Sequence, residues 1–259
     1  MYRPRSTKET HNISSMSVSS LRGKTILVTG GAKRIGASIT RALAAAGAEL
    51  IVHYHTAKTE AEALRDELHD HTPNLRLIQA DLRDPYAAER ITELLDRPVH
   101  ALVNNASIFP TADIETCTWP DLIENLSINA WAPFALARLL NRRGHLEAVV
   151  NLLDTRAIDY DWEHIPYYLS KQMLHSMTRL LAIALAPKVR VNAVAPGLIL
   201  PPEGKDESYL QSLAHTNPLH AVGHPGDIAE AVLFLLTQPF ITGQVLYVDG
   251  GRHLWSTQR

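Results

Sequence analysis

From Lys24 onward, short apolar runs alternate with longer segments in which apolar residues recur every three or four positions. The short runs have the length and composition of buried strands, and the longer segments have the spacing of amphipathic helices. Strand and helix patterns that alternate in this way indicate repeated βαβ units. The sequence therefore predicts an α/β fold, a doubly wound parallel sheet of seven strands with helices on both faces.

The pattern also predicts where these elements lie. Strands are expected at 24–30, 49–55, 75–82, 99–107, 147–154, 189–197 and 243–251. Helices are expected at 34–48, 58–71, 84–96, 120–143, 167–187 and 225–237. Residues 198–224 are rich in Pro and Gly and weakly patterned, which predicts an excursion over the active face of the sheet. Residues 1–20 are polar and show no periodicity, so we expect a disordered tail before a single domain at 21–259.

Composition narrows the range of partners. A net charge of -2 offers no broad attraction to nucleic acid or to an anionic membrane. No apolar run approaches the roughly 20 residues that span a bilayer. Cys117 is the only cysteine, so no intramolecular disulfide can form. We therefore expect a cytoplasmic protein that binds neither nucleic acid nor membrane.

A glycine-rich turn, "TGGAKRIG" at 29–36, joins the first strand to the first helix. At that place, backbone N–H groups and the positive end of a helix can meet a pyrophosphate. The alternative is a plain tight turn between strand and helix. The candidate dinucleotide-binding residues in the turn are Gly30, Lys33, Arg34, Ile35 and Gly36.

The end of the second strand, "HYHTAK" at 53–58, lacks the carboxylate that would hold the free ribose hydroxyl of NAD. Arg34, His55, Thr56 and Lys58 instead favour a 2′-phosphate, and so NADPH. The alternative is that they are solvated surface groups. The remaining cofactor candidates lie at carboxyl ends of predicted strands: His53, Tyr54, Asp81, Leu82, Asn105, Ala106, Ser107, Pro196, Gly197 and Leu198.

Tyr167 precedes Lys171 by four residues, so on a helix both side chains project from one face. Tyr168 is rotated by about 100° from that face. A nearby ammonium group stabilises a phenolate, which predicts that Lys171 lowers the pKa of Tyr167 from about 10. Tyr167 is therefore the candidate proton donor, and both residues are also candidates for contact with the cofactor.

Taken in order, "TGGAKRIG", "NNAS", "SINA", "YYLSK", "VNAVAPG" and "VDGG" resemble the classical short-chain dehydrogenase/reductase family over residues 22–251. The resemblance implies a single Rossmann-type domain, hydride transfer from a nicotinamide and a catalytic set of Asn, Ser, Tyr and Lys. Asn129, Tyr167 and Lys171 match three of these, and Asn129 is expected to position Lys171 through water. In this family two long helices form a subunit interface, which implies a homotetramer.

The serine of that set is replaced by Asp154, thirteen residues before Tyr167. Together with Arg34 and "NNASIF", this departure resembles the pteridine reductase branch. That resemblance implies NADPH-dependent reduction of pterins and often of dihydrofolate, with Phe109 stacking on the pterin. It also implies that Ser107 and Arg34 reach the polar edge of the substrate and the phosphates, and that Asp154 pairs with Tyr167.

The chemistry of Asp154 is consistent with this substitution. A serine hydroxyl donates a hydrogen bond to a ketone oxygen that becomes an alkoxide, whereas a pterin C=N bond needs a proton on nitrogen. Asp154 could orient or pass that proton with Tyr167, or it could simply cap the turn after its strand. Phe109 could likewise belong to the core.

One further set of residues is assigned no chemistry. Asp159, Asp161, Glu163 and His164 are expected to form a solvated loop, since their spacing matches no trusted metal-ligand pattern, and no metal site is predicted.

Two other functions stay open: a reductase of an unrelated carbonyl compound, and a non-catalytic NADP-binding regulator on the same fold.

Overall fold

The computed structural model describes residues 21–158, 161–202 and 204–255, and the predicted tail at 1–20 lies outside them. Within those ranges seven parallel strands form one sheet in the order β3-β2-β1-β4-β5-β6-β7. The strands are β1 (Thr25–Thr29), β2 (Glu49–Tyr54), β3 (Arg76–Gln79), β4 (Ala101–Asn104), β5 (Ala148–Leu152), β6 (Arg190–Pro196) and β7 (Val245–Val248). The predicted Rossmann-type sheet is confirmed.

Helices cover both faces of this sheet. In the described residues they are α1 (Arg34–Ala45), α2 (Lys58–Glu67), α3 (Ala87–Glu93), α4 (Trp119–Leu126), α5 (Ala132–Arg142), α6 (Ile165–Ala184), α7 (Glu207–Leu213), α8 (Pro225–Thr237) and α9 (Arg252–Trp255). Short 3-10 turns follow β5 at Thr155–Ile158 and follow α7 at Ala214–Thr216.

Apolar clusters hold the helices against the sheet. Packing occurs on both faces because successive side chains of a strand point to opposite faces. Ile26 and Val28 of β1 share one cluster with Ile39 and Leu43 of α1. Leu27, between them in sequence, belongs to the cluster on the other face, with side chains from α3, α5 and α6. All five side chains are fully buried, each contributing roughly 1.5–3 kcal/mol.

The order of the strands determines where a ligand can bind. The chain moves outward from β1 to β3 and then returns to place β4 on the other side of β1. In the register, Thr29 of β1 is paired with His53 of β2 and with Asn104 of β4. The carboxyl ends of the three strands therefore lie together at the point where the order reverses, which is where such sheets bind ligands.

Three elements differ from the predicted pattern. The helix expected at 120–143 is interrupted by a π-helical turn at Ser127–Trp131. The segment 198–224 contains α7, and the short helix α9 follows β7 where no helix was expected. No helix in the described ranges is long and apolar enough to cross a membrane.

Candidate active site

The glycine turn brings the ends of β1 and β4 into close contact. Gly30 has a φ of 59°, and an added Cβ would lie 2.9 Å from Ala106 Cα. A Cβ on Gly36 would lie 2.1 Å from the Gly30 carbonyl oxygen. Asn105 donates from Nδ2 to that same oxygen at 2.8 Å. The turn therefore requires glycine at both positions and is held in place by the segment that follows β4.

The start of α1 offers unpartnered donors beside this turn. Lys33, the residue before the helix, provides no side-chain cap for the first turn. The first N–H groups of a helix have no partner within the helix and attract anions. Lys33 and Arg34 add two exposed cations next to these groups. A pyrophosphate fits this donor set.

Arg34 is the one residue of the turn with a strained backbone. Its φ of 54° lies in the left-handed region that favours glycine. Its Nη2 donates to the Pro201 carbonyl oxygen at 2.5 Å. The guanidinium thus lies between the glycine turn and the segment after β6, on the face where a ligand would bind.

His53, predicted among the cofactor contacts, supports the glycine turn through a hydrogen bond to its backbone. Its ring is 2% exposed, and Nδ1 accepts a hydrogen bond from Gly30 N at 3.2 Å. The opposite ring nitrogen, Nε2, lies 3.1 Å from the Ala80 carbonyl oxygen and donates to it, since Nδ1 is the acceptor. Burial lowers the pKa of His53 to about 4, so the ring is neutral near pH 7.

The basic residues expected near a 2′-phosphate lie at different depths of this region. His55 Nε2 is 3.6 Å from the Asp81 carboxylate, and both side chains are about two-fifths exposed. Lys58 Nζ lies 3.9 Å from Glu62 on the exposed side of α2. His55 and Asp81 therefore sit together at the carboxyl ends of β2 and β3, and Lys58 belongs to a helix surface.

The other candidates for cofactor contact divide into buried side chains and strand ends. Tyr54, Leu82 and Leu198 are buried, which leaves their backbone as the part that can face a ligand. Gly197 N donates to Val248 O at 3.0 Å, so Pro196 and Gly197 close β6 against β7. The rest, Ile35, Thr56, Ala106 and Ser107, are partly or fully exposed around the same edge.

Tyr167 and Lys171 lie one turn apart on α6, which begins directly after His164. Both side chains are buried, at 8% and 3% exposure. Lys171 Nζ donates to the Leu152 carbonyl oxygen at 2.8 Å and lies 5.5 Å from the centre of the Tyr167 ring. The ammonium is therefore fixed near the phenol by the end of β5.

The expectation that Lys171 lowers the pKa of Tyr167 is wrong for this structure. Burial raises the pKa of Tyr167 well above 10, and the charge and the hydrogen bond of Asp154 raise it further. Burial also lowers the pKa of Lys171 to about 8, although Asp154 opposes that change. Burial and the Asp154 carboxylate together determine the direction of the shift, and the phenol keeps its proton.

Asp154 uses its two carboxylate oxygens for two tasks. Tyr167 Oη donates to Oδ2 at 2.8 Å. Oδ1 accepts from the backbone N–H of Arg156 at 2.8 Å, two residues further on. Both interpretations of Asp154 therefore hold in the geometry, since it caps the turn after β5 and contacts the phenol.

Asn129 occupies the π-helical turn between α4 and α5 and is fully buried. Its Nδ2 donates to Ser170 Oγ at 3.0 Å and to Ile108 O at 3.2 Å, and its Oδ1 accepts from Ile108 N at 3.0 Å. π-helical turns are frequent at functional sites. Asn129 ties the segment after β4 to α6, within one residue of both Phe109 and Lys171.

Phe109 is 42% exposed, which contradicts the alternative that it belongs to the core. One face of its ring stacks on His164, with centroids 3.8 Å apart and an interplanar angle of 15°. Its edge meets the Tyr167 ring at 4.6 Å and 85°. Phe109 therefore stands beside the phenol with one face already covered by an aromatic partner.

The expectation of a solvated loop before α6 is wrong for Asp161 and His164, while Asp159 lies outside the described residues. Asp161 is 6% exposed and accepts from Arg156 Nη1 at 2.7 Å. Its other oxygen lies 3.0 Å from His164 Nδ1. Asp161 is buried by its ion pair with Arg156, and His164 is covered by the ring of Phe109. The spacing of these residues in the sequence does not predict either contact. The described residues contain no cluster of three or more His, Cys, Asp or Glu that could hold a metal ion.

Sequence reasoning also missed a contact between the two ends of the site. Asp249, directly after β7, accepts hydrogen bonds from Thr155 Oγ1 and from the backbone and ring of His253. Tyr247 stacks on the His253 ring at 3.9 Å. The signal available in the sequence was the aspartate of "VDGG", but its partners lie about one hundred residues away or in an unpredicted helix.

The comparisons with known proteins agree with this geometry. The model of a family described as enoyl-(acyl carrier protein) reductase matches residues 30–253. A protein of Streptomyces violaceoruber described as a granaticin polyketide synthase ketoacyl reductase is 34% identical over 241 residues, 88% of this chain and 95% of its own. Dihydromonapterin reductase of Enterobacter sp. (strain 638) is 32% identical over 237 residues, 88% of this chain and 96% of its own.

A solved structure resembles the fold closely. The crystal structure of FolM alternative dihydrofolate reductase 1 from Brucella canis complexed with NADP has a TM-score of 0.82 and 31% identity, and covers 91% of this chain and 97% of its own. The matched region contains the glycine turn, Asp154 and the Tyr167–Lys171 pair. The chain belongs to the short-chain dehydrogenase/reductase family of oxidoreductases.

Proposed function

We propose that this protein is an NADPH-dependent reductase that adds a hydride and a proton across a C=N bond of a pterin or of dihydrofolate. The observation that carries the proposal is the 2.8 Å hydrogen bond from Tyr167 Oη to Asp154 Oδ2, beside the exposed ring of Phe109. Two relatives are named for activity on such substrates, a dihydromonapterin reductase and an alternative dihydrofolate reductase.

The glycine turn supports the choice of cofactor. The free N–H groups at the start of α1 would hold the pyrophosphate, with Lys33 and Arg34 beside it. Arg34 and His55 are the candidates for the 2′-phosphate, since the Asp81 carboxylate near the end of β2 already faces His55. The bound cofactor, NADP in the Brucella canis protein, supplies hydride in its reduced form.

The proton comes from the chain itself. Tyr167 keeps its proton because burial and Asp154 hold its pKa high, so the phenol is protonated and can act as the proton donor. As hydride reaches the carbon, the neighbouring ring nitrogen gains basicity and takes the phenolic proton. Asp154 is in hydrogen-bond contact with the same oxygen and can take up a proton from solvent water and pass it to that oxygen, so that charge does not stay on the phenol. Lys171, fixed by Leu152 O, stabilises that oxygen during the transfer.

The walls of the site suit a flat, polar heterocycle. Phe109 presents one open face for stacking, and His164 covers the other. Asp154 is an acceptor that suits the amino-substituted edge of a pterin. Ser107 and Arg34 lie at the exposed rim of the same edge of the sheet, where they would contact the polar edge of the ring and the phosphates.

A reductase of carbonyl compounds is the second candidate, because a relative at 34% identity is described as a ketoacyl reductase. In that chemistry a serine hydroxyl donates to the oxygen that becomes an alkoxide. Asp154 accepts hydrogen bonds through both oxygens and would place negative charge beside the alkoxide. The contacts of Asp154 therefore favour the C=N substrate.

We also propose that residues 21–259 form one catalytic domain that assembles as a homotetramer. Helices α4 and α6 pack together, and apolar side chains on them face outward, including Trp119 and Ile183 at 71% and 82% exposure. Apolar surface of this kind marks an interface. Light scattering of the purified protein tests the proposal, and a monomeric mass at micromolar concentration would contradict it.

The function is tested by NADPH consumption with dihydromonapterin, dihydrobiopterin and dihydrofolate, beside a β-ketoacyl thioester and a simple ketone. We expect turnover of at least one pterin or folate and little turnover of the carbonyl compounds. Tyr167→Phe is expected to bind NADPH but to lose most of the turnover. Turnover of the ketones alone would contradict the C=N proposal, and cofactor binding without any turnover would support a regulator.

A further inference from the structure

Two arginines that the proposed mechanism does not use lie on the side of the site that faces α7 and α9. Arg156 belongs to the 3-10 turn after β5, and Arg252 is the first residue of α9. The 3-10 turn and α9 pack against each other. Because the turn starts directly after Asp154, both arginines belong to the wall next to the Tyr167–Asp154 pair.

Asp249 keeps these two segments together. It accepts from Thr155 Oγ1 on the 3-10 turn and from His253 N and Nδ1 on α9, the latter two at 2.8 Å. A fourth hydrogen bond, from Gly251 N at 2.9 Å, fixes the backbone immediately before Arg252. The residues that precede the two arginines, Thr155 and Gly251, are therefore both hydrogen-bonded to Asp249.

The two guanidinium groups differ in how they are paired. Arg156 donates from Nη1 to Asp161 at 2.7 Å, and its side chain is 40% exposed. Arg252 is partly buried, and no residue in the described ranges accepts a hydrogen bond from its guanidinium. Burial and the positive charge of Arg156 both lower the pKa of Arg252. A partly buried cation beside a second cation thus lacks an acceptor.

The carboxylates near Arg252 are engaged elsewhere. Asp154 and Asp249 both act on its charge, as does the phenol of Tyr209 on α7. Asp154, however, holds Tyr167 Oη and Arg156 N, and Asp249 holds Thr155, Gly251 and His253. Tyr209, which also acts on Arg156, is 37% exposed, so solvent reaches the Tyr209 side chain of α7.

We propose that Arg252, assisted by the free N–H groups of Arg156, binds an anionic group on the side chain of the pterin substrate. The proposal rests on the proposed function, because it assigns the substrate class at the same site. A guanidinium binds carboxylate and phosphate in a forked geometry. The group is therefore a carboxylate, as in the glutamate of a folate, or a phosphate on a pterin side chain. With the ring held at Asp154 and Phe109, the side chain would extend toward α9.

The test compares three substrates in the wild type, Arg252→Gln, Arg252→Lys and a matched control. The substrates are dihydrofolate, a dihydropterin with a phosphorylated side chain, and dihydromonapterin, whose side chain is uncharged. The control is Arg65→Gln, which removes an exposed arginine paired with Asp66 on α2. The measured quantity is kcat/KM for each anionic substrate divided by kcat/KM for dihydromonapterin.

Arg252→Gln should lower this ratio about 10-fold or more for one of the anionic substrates, mainly through KM. Whether dihydrofolate or the phosphorylated pterin is affected identifies the anion. Arg252→Lys should lose less, and Arg65→Gln should leave the ratio unchanged. An equal ratio in the wild type and in Arg252→Gln for both anionic substrates would overturn the proposal.

A binding measurement keeps the proposal testable if the wild type turns over no pterin. Folic acid and the phosphorylated pterin are titrated by calorimetry into the protein saturated with NADP. Affinity that falls about 10-fold or more in Arg252→Gln supports the anion site while the proposed reaction fails. Absence of binding, or equal affinity in the two proteins, would overturn the inference. Unfolding by urea checks that the variants retain the wild-type fold.

Discussion

Protonation of His53 should destabilise the protein between pH 7 and pH 5. The ring is 2% exposed and its Nδ1 accepts the Gly30 N–H, so it must be neutral at that nitrogen in the folded state. Burial is the largest cause of its lowered pKa, about 4 in the folded chain against 6.5 in an exposed histidine. Replacing the ring by glutamine keeps a neutral acceptor and a neutral donor near the same backbone groups.

The size of the effect follows from proton linkage. The folded pKa is lowered, so between about pH 6.5 and 4 the unfolded chain binds more protons at this residue than the folded chain. Stability from His53 is therefore present above pH 6.5 and is lost as the pH falls. The full loss is about 3 kcal/mol, of which about 2 kcal/mol is reached by pH 5. That is a large share of the roughly 5–15 kcal/mol that stabilises an ordinary domain.

The assay is urea unfolding of the wild type and of His53→Gln at pH 7 and pH 5. Other titrating groups are common to both proteins, so their contribution cancels in the difference. The wild type should lose about 2 kcal/mol more than the variant over this interval. Equal losses in the two proteins would refute the argument that a neutral, buried His53 supports the glycine turn.

Three further predictions concern the cofactor, the proton and the ring of the substrate. Gly36→Ala should weaken NADPH binding about 100-fold or more in calorimetry, because the new Cβ would lie 2.1 Å from the Gly30 oxygen and open the turn. The rate should fall as the pH rises above about 8, since burial lowers the pKa of Lys171 to about 8 and the charged form is needed beside the phenol. His164→Ala should raise KM for a dihydropterin about 2- to 10-fold, because Phe109 loses its stacked partner.

Each of these has a control and an outcome that would contradict it. Ser38→Ala on the same helix should leave NADPH affinity unchanged, and wild-type affinity in Gly36→Ala would contradict the close contact. Lys171→Arg should move the fall in rate to higher pH, and a flat profile from pH 7 to 10 would exclude a role for the ammonium charge. For His164→Ala the control is the NADPH dissociation constant, which should equal that of the wild type, and an unchanged KM for the dihydropterin would contradict the stacking argument.

Local periodicity explains why the strands, their parallel pairing and the glycine turn were predictable. The apolar side chains of Ile26, Leu27 and Val28 indicate that these positions are buried, and a short run of buried positions is enough to identify a strand. The interruption of the helix around Asn129 was not predictable, because a π-helical turn of five residues is too short to change the apolar pattern of the surrounding helix visibly. The short helix α9 depends on the contacts of Asp249, which involve Thr155 from a distant part of the chain.

The candidate site shows the same division. The spacing of Tyr167 and Lys171 correctly predicted a shared helix face, but the direction of the pKa shift of Tyr167 depended first on its burial and then on the position of Asp154. The Asp154 carboxylate contacts the phenol at 2.8 Å, while the ammonium lies 5.5 Å from the ring centre. Likewise, the burial of Asp161 depends on Arg156 and His164 reaching it from the folded chain.

The measurement that tests the central claim most directly is the substrate preference of Asp154→Ser, with Asp154→Asn as the shape-matched control. Serine restores a hydroxyl donor, and asparagine keeps the shape of the side chain but cannot exchange a proton. We predict that kcat/KM for the dihydropterin, divided by that for a ketone, falls about 100-fold or more in both variants, with unfolding free energies reported beside it. An unaltered ratio in Asp154→Ser would contradict the claim that the carboxylate and the phenol together protonate a ring nitrogen.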